Sequence, residues 1–434
     1  MRDVELVRQL LGLKAPWVVK TVAVSTEDRC VNVWLGHRRG YLWPCPDCGI
    51  LYKLHDHQKE RSWRHLDTWQ CLTYLSTRVP RIRCSEHGVL CVEVPWAEAN
   101  ARYTSQFECY AIDVLTETSV EGASRLLRTT WHQTWHIMER AVKRGLACKS
   151  RAPPRRNGID EKAIAKGHKY LTIVCDLDEG TVEYVADDRR QSSLDEYYQR
   201  LSATELACIE AVAMDMWDNY IASTLEYVPD AMSKIVFDRY HIMAYIEGAV
   251  DKVRCQEHRQ LMEKGKETLK GTKYYWLYNE ENLPDKYRAR FLDLKKSNLK
   301  TARAWAIKES LRDFWEYKTA TGALRHWKRW YFWATHSRLK PVIDAARTMQ
   351  RHLPNILTYF EHRITNAMAE GINSQIQRIK NDACGYRNKE HFKMAIYFYC
   401  GGLDLYPLSD RKSSRFRLEK EIIIQAEVRQ YRLW

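Results

Sequence analysis

The sequence predicts a multidomain α+β protein in which a small cysteine-bearing module, a helical segment, a mixed α/β sheet and an all-helical insertion follow one another. Three observations lead to this prediction. The chain has 434 residues, too many for one hydrophobic core. Alternating apolar runs of the strand type give way after residue 100 to helical periodicity, and return after Pro153 and Pro154. Gly and Pro are scarce, at 18 and 12, which excludes collagenous and low-complexity classes.

The composition predicts a soluble, cytoplasmic protein. The longest apolar runs fall well short of the roughly 20 residues that span a bilayer, and the stretch Met1–Glu5 does not resemble a signal peptide. A membrane partner is therefore not expected. The 13 cysteines are odd in number and no export signal accompanies them, so reduced thiols or metal ligands are favoured over disulfides.

Residues 1–100 contain strand-like runs at Val31–Trp34 and Arg78–Arg83 and two matching knuckles. The first is a C-x-x-C-G pattern and the second a C-x-x-H-G pattern 35 residues later. Each knuckle can offer two soft ligands from one tight turn, and four such ligands suit tetrahedral zinc. The predicted structural zinc ligands are Cys45, Cys48, Cys84 and His87. Buried free thiols remain the alternative, and the nearby side chains that could replace the fourth ligand are Cys71, Cys91, His55, His57 and His65.

Residues 101–150 predict three short helices, one from about Thr104, one over Val120–Leu127 and one from Trp131 to about Arg144. Thr130-Trp-His-Gln133 is a capping-box pattern that begins the third helix. The order and tight links are typical of a helix-turn-helix, although a plain helical linker would show the same spacing. Side chains expected to contact DNA from the third helix are His132, Gln133, His136 and Arg140.

Residues 151–240 predict a mixed sheet. After the double proline, strands are expected over Asn157–Ala163, Lys169–Cys175 and Thr181–Val185, then a helix over Ser192–Leu201, and further strands over Leu206–Met214 and Lys234–Phe237. Asp160 lies within the first strand, whereas Asp215 and Asp238 directly follow the last two. Among 55 acidic residues such positions are common, so spacing alone does not bring these carboxylates together.

Residues 241–362 predict an all-helical insertion that is basic and rich in tryptophan. Residues 251–340 hold 22 Lys and Arg against 11 Asp and Glu, with six of the 16 Trp. This excess favours a polyanion, with nucleic acid ahead of membrane, and the alternative is a solvated helical face with Trp in its core. The predicted phosphate-contacting residues are Lys295, Lys296 and Lys300.

Residues 363–434 begin with a helix that carries an acid among amides. Asn366, Glu370, Asn373 and Gln377 share one polar stripe, and Ile residues occupy another side. Arg378 and Lys380 on the same helix are expected to contact DNA.

Taken in order, these features resemble the bacterial insertion-sequence transposases of the ISL-three group, which belong to the DDE superfamily with an RNase H-like catalytic fold. The resemblance covers nearly the whole chain. It is carried by the two knuckles, the helix-turn-helix region, Gly158–Glu161, Lys166–Tyr170, Met214–Trp217 with Tyr220, Phe237–His241, Thr365–Asn366, Glu370–Gly371 and Gly385–Asn388. His87 departs from the family, in which a cysteine is frequent at this place.

The resemblance implies that Asp160, Asp215 and Glu370 are the catalytic acids and that Asp238 with His241 forms an auxiliary D-x-x-H motif. Asp218 and Asp238 are the alternatives for the second acid, and Asp215 is favoured because it directly follows the apolar strand. Such acids hold two Mg²⁺ or Mn²⁺ ions, with Asp160 bridging them. The implied substrates are terminal inverted repeats and target DNA, bound by a homodimer on the bacterial nucleoid. Two alternatives stay open: a zinc and helix-turn-helix DNA-binding regulator derived from a transposase and without catalysis, and a nuclease that cuts but does not join.

Overall fold

The computed structural model describes residues 3–149, 153–165 and 169–407. Within them the chain forms two compact units. The first comprises residues 3–149, 382–399 and 403–407, and the second comprises 153–165, 169–381 and 400–402. The predicted segment 363–434 is thus divided between both units. Its residues 408–434 and residues 166–168 of the Lys166–Tyr170 motif lie outside the described residues.

The first unit begins with an antiparallel-rich sheet in the order β1-β2-β6-β5, with β7 paired to β6. Its core consists of Val31, Leu35, Trp63, Leu75 and Ile82 with their neighbours. A short β3-β4 hairpin carries the first knuckle's turn. The bounds are α1 Asp3–Leu10, β1 Trp17–Ser25, β2 Cys30–His37, β3 Trp43–Pro44, β4 Leu51–Tyr52, β5 Leu54–Thr68, β6 Cys71–Cys84 and β7 Gly88–Cys91.

Three consecutive helices follow where the sequence predicted them: α2 Ser105–Glu117, α3 Val120–Leu126 and α4 Trp131–Cys148. Each begins at a hydroxyl cap, and Thr130 forms the predicted capping box with Gln133. Buried residues of all three helices form one core with Phe398 of a later helix, α18 (Lys389–Cys400). The helix-turn-helix therefore packs against a C-terminal helix that sequence spacing did not associate with it.

The second unit is built on a five-stranded sheet in the order β10-β9-β8-β11-β12. The first three strands are antiparallel neighbours, whereas β8, β11 and β12 run parallel. This is the RNase H-like sheet that the resemblance implied. The bounds are β8 Arg156–Ala165, β9 Lys169–Asp176, β10 Thr181–Ala186, α5 Gln191–Tyr198, α6 Ala203–Ala207, β11 Ala211–Met214, α7 Asp218–Tyr227, α8 Ala231–Lys234 and β12 Ile235–Phe237.

One predicted strand was too long. Of Leu206–Met214, only Ala211–Met214 pairs in the sheet, and Ala203–Ala207 is helical. The reason is local, because Ser202 and Glu205 form a capping box that begins a helical turn there.

The region from residue 239 to 362 is helical, as predicted. Five of the six Trp in residues 251–340 are buried, and Trp333 is 40% exposed. The five buried indoles form a core, as in the alternative of a helical face with Trp in its core. The bounds are α9 Arg239–Met262, α10 Lys273–Leu277, a 3-10 turn Glu280–Asn282, α11 Asp285–Lys296, α12 Lys300–Arg312, a 3-10 turn Asp313–Glu316, α13 Ala320–Thr335, α14 Lys340–Arg351, α15 Leu353–Leu357, α16 Tyr359–His362 and, after it, α17 Ala367–Asp382.

Across the described part of the chain, every helix is too short or too polar to cross a bilayer.

Candidate functional site

The first site is the pair of knuckles in the first unit. Cys45, Cys48, Cys84 and His87 each bring one ligand atom within 4.8 Å of the others. Both turns end at a glycine in the left-handed region, each with a φ of 73°. The alternative fourth ligands do not join this group: His57 contacts His37, and His65 contacts Thr104.

The distances fit a tetrahedral zinc ion. With Zn–S of about 2.3 Å and Zn–N of about 2.0–2.1 Å, two sulfurs should lie ~3.8 Å apart and a sulfur and a nitrogen ~3.5 Å apart. The Cys48 and Cys84 Sγ atoms are 3.8 Å apart, and Cys84 Sγ lies 3.5 Å from His87 Nδ1. The Tyr52 hydroxyl beside Cys84 lowers the pKa of this thiol to about 6, which favours the thiolate. The set is a structural Cys₃His zinc site.

Helix α4 exposes the side chains predicted to contact DNA unevenly. His132 and His136 are exposed, and His136 Nδ1 is 3.3 Å from a carboxylate oxygen of Glu139. Gln133 is committed to the cap, because its Oε1 accepts a hydrogen bond from the Thr130 N–H at 2.9 Å. Its amide NH₂ still offers two donors.

Arg140 has partners within its own unit. Its guanidinium lies 3.1 Å from Glu98 and 3.4 Å from the buried Glu108, which also pairs with Arg144 at 2.9 Å. These ion pairs offset part of the cost of burying the Glu108 carboxylate, whose Oε2 accepts a hydrogen bond from Arg144. Arg140 therefore helps to hold α4 against α2, a role that the polar pattern of α4 did not reveal.

The second site lies at the carboxyl ends of β11 and β12, beside the middle of β8. The β8–β11 register pairs Ala213 with Gly158, so two residues further on Asp215 lies level with Asp160. The β11–β12 register pairs Met214 with Phe237, so Asp215 and Asp238, which follow them, also lie level with each other. Three neighbouring strands thus bring their acids to one height of the sheet: Asp160, Asp215 and Asp238.

Helix α17 is fixed to this edge by two hydrogen bonds. The Asn373 side chain donates to Asp160 Oδ2 at 2.6 Å, and Lys162 Nζ donates to the Asn373 carbonyl at 2.8 Å. Glu370 precedes Asn373 by three residues, so it lies on the same side of the helix. The exposed Glu370 carboxylate accordingly acts electrostatically on Asp238. Helix α17 thus carries Glu370 to the region of Asp238, at the part of the sheet where Asp160 and Asp215 lie level.

The acids repel one another. Burial raises the pKa of Asp160, with the Asp238 carboxylate adding to the rise and His241 and Asn373 opposing it. Burial likewise raises the pKa of Asp238, and Glu370 and Asp215 add to it. A divalent cation would relieve both effects by favouring the ionised forms.

His241 lies between two of these acids. Its Nδ1 is 3.7 Å from Asp215 Oδ2, and its Nε2 is 3.9 Å from Asp238 Oδ2. Asp238 is 5% exposed and caps α9 through its Oδ1, which accepts from the Tyr240 N–H. Its buried Oδ2 has no hydrogen-bond partner. Such an orphaned carboxylate oxygen suits an oxygen-preferring cation nearby or an imidazolium.

An arginine at the rim of this site had not been singled out from the sequence. The Arg189 guanidinium stacks on the rings of Tyr170 and Trp217, with centroid distances of 4.5 and 4.8 Å, and lies 3.4 Å from Glu161. Glu161 and Trp217 are chain neighbours of Asp160 and Asp215. No local pattern marks Arg189, because its position depends on two other strands.

The remaining predicted DNA contacts lie on helices of the second unit. Lys295 pairs with Glu280 at 2.6 Å, and Lys300 Nζ is 3.1 Å from Gln260. Lys296 is exposed. On α17, Arg378 is exposed and Lys380 is half-buried.

An RNase H-like sheet with converging acids, accompanied by a zinc knuckle pair and a helix-turn-helix, defines the class of DDE transposases. Comparison with protein families narrows the class. A family model described as a transposase of the ISL3 type matches residues 158–396, and the chain belongs to that family. The zinc finger of the IS204/IS1001/IS1096/IS1165 transposases matches residues 42–87, and the helix-turn-helix domain of transposase family ISL3 matches 92–142.

Full-length relatives agree with these matches. The chain is 27% identical over 425 residues to the transposase for insertion sequence element IS1557 of Mycobacterium tuberculosis, covering 90% of this chain and 94% of the relative. It is 25% identical over 400 residues to the transposase for insertion sequence element IS1001 of Bordetella parapertussis, and the match covers 91% of this chain and 98% of the relative.

Proposed function

We propose that this protein binds the terminal inverted repeats of a bacterial insertion sequence and catalyses metal-dependent cleavage and joining of DNA strands, with Asp160, Asp215 and Glu370 as its catalytic acids. The observation that carries the proposal is the common height of the aspartates on β8, β11 and β12, together with the hydrogen bond from Asn373 to Asp160 that holds α17, the helix of Glu370, against them.

The carboxylates would hold Mg²⁺ or Mn²⁺, which activates the attacking hydroxyl or water and stabilises the leaving oxygen. The chain supplies the placement. Asn373 and the Glu161 N–H each donate to Asp160, at 2.6 and 2.7 Å, and so fix the orientation of its carboxylate. Asp215, with 38% of its side chain exposed, remains open to DNA, whereas Asp238 is closed off beneath it. We therefore assign Asp215 as the second acid and Asp238 with His241 as its support.

DNA recognition is assigned to the first unit, through His132, His136 and the free amide donors of Gln133 on α4. Phosphate contacts are assigned to Lys295, Lys296 and Lys300 of the helical insertion and to Arg378 and Lys380 of α17. Two repeat ends must be processed together, so a homodimer on DNA is the expected assembly.

The test is an assay with full-length protein, a duplex carrying the end sequence that flanks its own gene, a target plasmid and MgCl₂. Cleaved ends and joined product are both expected. Cleavage without joined product would favour a nuclease, and binding without either product would favour the regulator. No observation favours the regulator at present, since all three acids are retained and the match covers 94% of one full-length relative.

A further inference from the structure

The tip of the β5–β6 hairpin carries the most exposed of the large apolar side chains in the described residues. Trp69 is 86% exposed. Thr68 pairs with Cys71, so Trp69 and Gln70 alone form the turn. Indole rings are large apolar groups that proteins usually bury or seat at an interface. Trp69 contributes nothing to the core of its unit.

The backbone of this turn does not suit its residues. Trp69 and Gln70 have φ values of 49° and 65°, the left-handed pair that a two-residue turn of type I′ requires. Asn-Gly is the favoured sequence for such a turn, and a bulky residue at positive φ is uncommon. A turn chosen for stability alone would not place Trp and Gln here.

The tip is nevertheless held firmly, and the residue that holds it belongs to the helix-turn-helix. Arg128 donates to the Gln70 carbonyl at 2.8 Å and to Gln70 Oε1 at 2.6 Å, and lies 3.3 Å from Asp67. Arg128 lies between α3 and α4, two residues before Thr130, the cap of the recognition helix. Thr130 is at most about 7 Å along the backbone from Arg128, so one arginine side chain links the tip to the segment that begins α4.

We propose that Trp69 is a DNA-contacting wing of the helix-turn-helix, which packs its indole against bases or deoxyriboses beside the groove that α4 enters. The proposal rests on DNA binding by α4. The first residues of a recognition helix are those that approach the base edges, so a rigid side chain beside them meets the same duplex. Apolar wedges and stacked aromatics are established ways for proteins to engage DNA.

A second copy of this chain is the less favoured occupant. A stable interface between copies needs roughly 800 Å² on each partner, far more than one indole offers. Arg125 and Arg128 lie on the adjoining helix-turn-helix but are paired with Glu121 and Asp67, so the DNA assignment rests on the position of Trp69 beside the segment that begins α4 and not on charge.

The test measures the affinity of full-length protein for the end duplex by fluorescence anisotropy. Trp69→Ala should weaken binding about tenfold, as loss of one aromatic–base contact does, and Trp69→Phe should retain most of the affinity. Arg128→Ala should give a partial loss, because the tip is released. Leu126→Ala removes a 68% exposed apolar side chain from nearby α3 and should leave the affinity unchanged.

A double variant separates function from fold. Trp69→Asn combined with Gln70→Gly installs the favoured turn, so its melting temperature should rise while its DNA affinity falls. Unchanged affinity in both Trp69→Ala and the double variant would overturn the proposal, and so would a Trp69→Ala variant whose only change is a lower oligomeric mass without DNA. Failure of the wild type to bind the end duplex would instead break the proposed function.

Discussion

The zinc site and the group of acids in this protein are built in opposite ways. The zinc ligands come from two tight turns, and all four ligand atoms lie within 4.8 Å of one another. The acids come from three strands and a helix. Among the residues that the structure describes, no three of these carboxylates have oxygen atoms that all lie within 4.8 Å of one another. Hydrogen bonds from Asn373 and from backbone N–H groups hold Asp160 and Asp215 in their orientations.

The contrast separates a closed site from an open one. A closed tetrahedron of soft ligands leaves no position for a substrate, so its metal contributes to folding. In the open set of acids, burial raises the pKa values of Asp160 and Asp238, and neighbouring carboxylates add to the rise. The set also leaves room for water and phosphate, as a site that processes DNA requires. Each of the following predictions tests one side of this difference.

The largest effect is expected from the acids. Asp160→Ala, Asp215→Ala and Glu370→Ala should each lower strand joining by at least about 10³-fold, and the triple variant should be little worse, because ligands of one metal pair act as a unit. Joined product is measured with MgCl₂, and DNA affinity should persist. Asp178→Ala, in the exposed β9–β10 turn, is the matched control. Joining by purified Glu370→Ala would defeat the assignment.

Loss of zinc should act on stability instead. Cys45→Ser with Cys48→Ser should destabilise the first unit by several kcal/mol, since zinc supplies about 10 kcal/mol or more to small zinc modules, and should abolish selective DNA binding. Elemental analysis and thermal unfolding give the readout. Cys208→Ser with Cys255→Ser, two exposed thiols, should change neither. If the zinc-free variant melts at the same temperature as the wild type, the cysteines of the knuckles are only buried thiols.

A smaller effect is expected at Asp238. Asp238→Ala should lower joining about 10–100-fold, the usual cost of losing a supporting partner, and so less than Asp215→Ala does. The reverse order would make Asp238 the second acid.

Asp238→Asn adds a pH test on zinc-loaded, magnesium-free protein. Burial raises the pKa of Asp238 in the folded state, so the folded chain retains a proton that the unfolded chain releases, and stability falls as pH rises from about 4 through the raised value. The variant should lack this fall, so its melting temperature should exceed that of the wild type at pH 7 and match it near pH 4. Equal melting temperatures at both pH values would contradict the interpretation.

The smallest effect is expected from the insertion. Reversing Lys295, Lys296 and Lys300 to Glu should flatten the salt dependence of DNA affinity, with about 0.9 lost from the log–log slope for each phosphate contact removed. Lys295 and Lys300 already have intramolecular partners. We therefore expect the slope to fall by an amount closer to one phosphate contact than to three. Lys340→Glu, whose side chain pairs with Asp344, serves as the control. An unchanged slope would mark this helical face as merely solvated.

The sequence by itself determined what is local. The zinc ligands lie three residues apart within each knuckle, and the cap of α4 depends on Thr130 and Gln133 alone, so both could be predicted from spacing. The strands that carry the acids were also predictable, because apolar runs end at Asp215 and Asp238. That these acids act together in catalysis was implied by the family resemblance and not by their spacing.

Only the tertiary structure decided which distant groups meet. The parallel register of β8, β11 and β12 sets the three aspartates level, and no spacing along the chain contains a register between strands. The same holds for Arg140, whose partner Glu98 comes from outside its helix, for the buried Trp of the insertion and for Arg128 on the Trp69 turn. Arg140 and Glu98 are 42 positions apart in the sequence, and Arg128 and Gln70 are 58 apart. Local propensity carries no information about contacts between such distant residues.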